Sequence, residues 1–185
     1  MMMKRFWIAG LSTIGLMVMA PTVTIVSGWD TRPAIAQTAE KPQIKLNLIG
    51  EKRIVSKDAQ GKERITWEKV GQQVTAQTGD VLRYSLKGKN EGKGSAKNLV
   101  LTQPIPQNTV YFKDSATKQA GVEILFSIDG GKNYSAAPMV EVKTLSGKVE
   151  VRPAPVESYT HVRWKWQNPI APQGEINVAY QVRVK

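Results

Sequence analysis

Hydrophobic and polar residues alternate one by one through most of the chain beyond Gln43. The clearest case is Glu175 to Lys185. Ile176, Val178, Tyr180, Val182 and Val184 fall on one side, and Glu175, Asn177, Ala179, Gln181, Arg183 and Lys185 on the other. A strand turns successive side chains to opposite faces, so this segment predicts a strand with one buried and one wet face. The same period appears in Asp80 to Gly88, in Gly121 to Asp129 and around Val162, Trp164 and Trp166. Shorter predicted strands are Ile44 to Ile49, Arg64 to Val70, Asn98 to Thr102, Met139 to Lys143 and Lys148 to Arg152.

Turn residues punctuate this pattern. Asp58-Ala59-Gln60-Gly61, Asn90 to Gly94, Asp129 to Asn133 and Ser146-Gly147 are the stop signals. Asn, Asp and Gly there supply turns and positive φ. No stretch after Gln43 carries an apolar stripe at helical spacing; Asp114 to Gln119 has room for one helical turn at most. About nine short strands, each wet on one face, predict an all-β antiparallel sandwich of immunoglobulin-like type over residues 43–185, with an open barrel as the alternative. Gln37 to Pro42 lacks periodicity and reads as a flexible leader.

The start of the chain has a different texture. Lys4 and Arg5 precede an almost uncharged run from Trp7 to Val26, and Ala34-Ile35-Ala36 follows. A positive start, an apolar middle and a small-x-small exit make residues 1–36 a secretory signal peptide, with cleavage before Gln37. The competing reading is a retained anchor, since the apolar run approaches the span of a bilayer. A periplasmic, cell-surface or extracellular location is expected.

Composition narrows the chemistry. The 185 residues include no cysteine and carry a net charge of +11. An exported chain without cysteine has no disulfide, thiolate metal site or lipid anchor on sulfur, so its fold rests on its core. The positive charge favours acidic partners, and outside the cytoplasm these are envelope polymers or proteins rather than nucleic acid.

Gly79-Asp80, the strand Val81 to Leu86, Asn90-Glu91-Gly92, Ala96 to Leu101, Pro104-Ile105-Pro106, Tyr111 and Ser115 form an ordered series. That series resembles the bacterial conserved-repeat family known as domain of unknown function number eleven. Gln103-Pro104 stands where the family usually has an aspartate entering its Leu-Pro step. The resemblance extends through Gly130-Gly131 to Ala179-Tyr180-Gln181-Val182, and leaves Gln43 to Val70 as an added strand pair. It implies an immunoglobulin-like sandwich in exported or surface-attached proteins, often a spacer or repeat, with no catalytic residues to transfer.

Few residues suggest catalysis. Ser127-Ile128-Asp129-Gly130-Gly131-Lys132-Asn133-Tyr134 resembles an Asp box, a hairpin in which the aspartate ties backbone N–H groups into the turn. His161 is the only histidine, and no G-x-S-x-G nucleophile elbow accompanies it. Trp164 and Trp166 share a strand face with Val162, which favours core over a sugar platform. No catalytic residue, cofactor, metal or small-molecule substrate is expected. The expected function is a non-enzymatic binding or structural role in the cell envelope. A small carbohydrate-active hydrolase and a membrane-tethered accessory domain are the alternatives.

The polar faces of two strands are basic. Arg163 and Lys165 lie beside His161 on one, and Arg183 and Lys185 on the other. If these strands pair, Arg83, Arg163, Lys165, Arg183 and Lys185 would form one anion-binding face, with Lys87 extending it.

Overall fold

Ten antiparallel strands arise among the residues the computed structural model describes, 40–70 and 76–185. They are β1 (Ile44–Lys57), β2 (Glu63–Lys69), β3 (Val81–Asn90), β4 (Val100–Pro104), β5 (Thr109–Tyr111), β6 (Val122–Ser127), β7 (Met139–Lys143), β8 (Val149–Pro153), β9 (His161–Trp166) and β10 (Glu175–Val184). One sheet has the order β2-β1-β3-β10-β5 and a second has the order β4-β9-β6. The β7–β8 hairpin forms a third, separate sheet. The result is a sandwich-like all-β fold.

The alternation explains the layers. Leu82 and Leu86 on β3 and Ile176, Val178, Tyr180 and Val182 on β10 turn inward from the five-stranded sheet. Leu101 on β4 and Val162, Trp164 and Trp166 on β9 turn inward from the other. Together they make one core, in which Trp164, Val162, Val178 and Val182 have no accessible surface. Each such side chain contributes roughly 1.5–3 kcal/mol through burial. The Trp164 indole donates to the Thr117 carbonyl at 3.2 Å, so its polar edge is satisfied inside the core.

All nine expected strands are present, with two differences. β1 continues to Lys57, pairing with β3 up to Lys52 and with β2 from Glu51 onward. Thr109–Tyr111 adds β5 at the sheet edge, through Tyr111 opposite Val182. Asp114 to Gln119 forms turns rather than helix, with Asp114 at φ 60°. The segment after β5 instead follows β10. Phe112 N–H donates to the Gln181 carbonyl, and Thr117 N–H to the Ala179 carbonyl. A short 3-10 turn, Val156–Ser158, precedes β9.

Gly92 and Gly94 have a role other than the one the sequence suggests. Neither is among the residues with positive φ. A side chain at Gly92 would strike the Lys41 carbonyl and Gln43 amide, and one at Gly94 the Glu40 carbonyl. Glycine there lets Glu40 to Gln43 lie directly on the loop, where Glu91 N–H donates to the Gln43 carbonyl at 2.8 Å. The described end of the expected leader is thus docked. The expected signal peptide lies outside the described residues. Among those described, no helix is long and apolar enough to cross a membrane.

Candidate functional site

The expected basic face required β9 and β10 to pair, and they do not. β9 is the middle strand of the three-stranded sheet, while β10 lies between β3 and β5 in the other. Arg163 and Lys165 are therefore on a different sheet from Arg183. Strand alternation decides which face a residue takes but leaves its neighbouring strand open.

On the three-stranded sheet Arg163 and Lys165 have neighbours of their own. Arg163 lies over the Tyr134 ring, 3.3 Å from its centroid, and donates from Nε to Thr102 Oγ1 at 2.9 Å. Lys165 is 3.9 Å from Glu123, its cross-strand neighbour. His161 does not stand free in solvent as the alternation suggests. It is half-buried, edge-on to Tyr134, with Nδ1 3.1 Å from Thr160 Oγ1.

The outer face of the five-stranded sheet brings together the rest. Arg83 on β3 sits opposite Gln181 on β10 and Glu51 on β1. Arg183 sits opposite Val81, one step diagonally from Arg83, and such diagonal neighbours are roughly 7–8 Å apart. Arg53, two residues after Glu51, shares this face, with Trp67 of β2 directly opposite it and Lys69 opposite Glu51. Lys185 follows β10, its N–H held by the Asn108 carbonyl. Arg53, Trp67 and Lys69 are members that sequence reasoning missed. The clue available was the β2 alternation, in which Ile65 and Trp67 share a side with Glu63 and Lys69, against Arg64, Thr66 and Glu68 on the other.

Arg83 organises this face. Its Nε and terminal nitrogen both reach Glu51 Oε2 at 2.8 Å. Its guanidinium lies 4.1 Å from the Trp67 ring centroid. A two-point contact with carboxylate and a stacked ring fix the planar head more firmly than an ordinary surface ion pair. Four cations, Arg53, Arg83, Arg183 and Lys69, lie around Glu51. Val55 and Ile65, paired on the same face, continue it as exposed apolar surface. The arrangement presents guanidinium groups beside an aromatic and an aliphatic surface, a combination suited to an acidic polymer with apolar patches.

Other polar groups serve the scaffold. Ser127 Oγ donates to Asp129 Oδ1 at 2.7 Å and accepts from the Gly131 N–H at 2.9 Å. Asp129 accepts from the backbone N–H groups of Asn133 and Lys132. Those bonds, the Asn133 N–H above all, hold its carboxyl well below the ordinary carboxylate range. Lys52 bonds Asp80 at 2.7 Å. That contact, helped by the Gln77 N–H, also lowers the Asp80 pKa. Among the described residues, no three His, Cys, Asp or Glu side chains are grouped to hold a metal ion. Comparison of the chain with protein-family models, with curated proteins and with solved structures gives no match.

Proposed function

We propose that this chain is an exported, non-enzymatic, immunoglobulin-like binding module of the cell envelope. Its mechanism is surface complementarity: the outer face of the five-stranded sheet meets an acidic envelope polymer. The observation that carries the proposal is the cluster of Arg53, Arg83 and Arg183 on adjoining strands, with Arg83 held over Trp67 and against Glu51. A fixed guanidinium loses less freedom on binding than a free one, which favours even a shallow site.

The residues behind the family resemblance support a scaffold reading. Asn90 ties three loops together, Tyr111 Oη accepts from the Ala116 N–H, and Ser115 Oγ accepts from the Gln181 N–H. Ser127 and Asp129 are likewise bound up in the turn after β6, and His161 lies on β9 against the Tyr134 ring. Export rests on the sequence of residues 1–36. The direct test titrates the protein with a polyuronate at rising salt. Saturable binding that weakens steeply with salt is expected, because exposed charges are screened over about 8 Å at physiological ionic strength. Binding indifferent to salt would overturn the electrostatic mechanism. N-terminal sequencing of the exported protein should begin at Gln37; a full-length chain retained in membranes would contradict cleavage.

A further inference from the structure

We propose that the β7–β8 hairpin is a lipid-docking finger that inserts its tip into the interface of an anionic bilayer. The inference concerns a different part of the molecule from the arginine face and does not depend on it.

Three observations point there. First, β7 and β8 pair with each other and, among the described strands, pack against no other. A two-stranded ribbon is marginal in water when no further layer covers it. Yet this one exposes Met139, Val149 and Val151, which share a face in the register Met139 opposite Pro153 and Lys143 opposite Val149. Second, its tip ends in Leu145, whose relative exposure of 112% leaves the whole side chain in solvent. Third, Lys143 and Lys148 flank that leucine, and no acid lies between them in sequence. The hairpin's carboxylates lie farther from the tip. Glu150 is held by Arg152 at 2.6 Å, and Glu141 is opposite Val151.

The turn is also built to leave water. A backbone entering a lipid interface must carry its hydrogen bonds with it. Here Thr144 N–H donates to the Lys148 carbonyl and Gly147 N–H to the Thr144 carbonyl. Thr144 Oγ1 also donates to the Lys148 carbonyl and lies 2.9 Å from Ser146 Oγ. Gly147, at φ 82°, supplies the left-handed residue that closes such a loop. Leu145, Ser146 and Gly147 are exposed at the tip, and Leu145 is its one large apolar side chain. One apolar anchor plus lysines at headgroup height is the two-part arrangement that gives reversible binding to acidic membranes.

The absence of cysteine from the chain permits a single reporter. Full-length protein carrying Ser146→Cys is labelled with an environment-sensitive dye and mixed with vesicles of phosphatidylglycerol and phosphatidylethanolamine. A second protein carries the dye at Gln60→Cys, in the β1–β2 turn. The expected result is a blue shift and quenching by brominated lipid at position 146 alone. Both are lost in Leu145→Asp, in Lys143→Glu with Lys148→Glu, and on vesicles of phosphatidylcholine. No shift at position 146 on anionic vesicles overturns the proposal. So does an equal shift at position 60, which would mean general coating of the vesicle. A shift that grows with protein concentration without lipid would overturn it in favour of self-association.

Discussion

The phenol of Tyr180, on β10, donates to the Pro104 carbonyl at the end of β4 at a distance of 2.7 Å. A side chain of the five-stranded sheet thereby closes a strand of the other through the core. Burial, and then the neighbouring Tyr84, push the Tyr180 pKa far up, so it stays protonated and keeps donating. Tyr180→Phe retains the ring and leaves the Pro104 carbonyl without this donor. A stability loss of about 1–2 kcal/mol is expected in urea unfolding. An unchanged midpoint would mean that the bond adds nothing to sheet docking.

Asn90 carries more. Fully buried, it accepts at Oδ1 from the N–H groups of Gln43 and Gly92 and donates from Nδ2 to the Gly94, Ile170 and Ala171 carbonyls. Asn90→Ala strands all of these partners at once. The expected cost is about 3 kcal/mol or more, since several buried polar groups lose their bonds together. Hydrogen exchange should show the amides of Gln43 and Gly92 losing protection. A variant as stable as the parent would show that water replaces the amide readily.

Trp164 tests the core. Trp164→Ala should lower stability by about 3–5 kcal/mol, as large aromatic truncations in cores do. Unaltered stability with a loss of glycan binding would instead identify the ring as a recognition surface.

Asp129 gives a pH dependence. Its folded pKa is depressed, so its contribution is fully present above the unfolded value of about 3.9 and is lost as pH falls toward the folded one. Below that unfolded value the unfolded chain binds more protons, and stability falls with acid. Asp129→Asn should therefore flatten the acid limb between about pH 4 and pH 2, without abolishing it, because Asp80 is depressed in the same sense. An acid limb of identical slope in the two proteins would contradict the assignment.

The core strands and their buried faces were legible because period-two alternation survives in β3, β9 and β10. Thr109–Tyr111 escaped because three residues are too few to show a period. The far half of β1 escaped because Glu51-Lys52-Arg53 is charged on both faces: that stretch forms a ribbon with β2 and has little core to face. Asn90 read as a loop residue by type, although it ends β3 with its amide wholly enclosed. The basic face was half legible. Arg83 and Arg183 lie on paired strands, whereas the charge pattern pointed first to Arg163 and Lys165 beside Arg183. The pairing of β9 with β4 and β6 is a property of the three-dimensional order of strands, which no local pattern encodes.

The proposed binding function requires the outer face of the five-stranded sheet to be the binding face. Retention on an acidic polysaccharide column tests this with two charge-matched variants, Arg53→Glu with Arg183→Glu and Arg163→Glu with Lys165→Glu, each first shown to be folded. Both remove the same charge, so general attraction to the column falls equally in each. Early elution of the Arg53 and Arg183 variant is expected, with the Arg163 and Lys165 variant retained clearly longer. Equal loss of retention in both would contradict the proposed function and leave the positive charge as a solvated surface without a site.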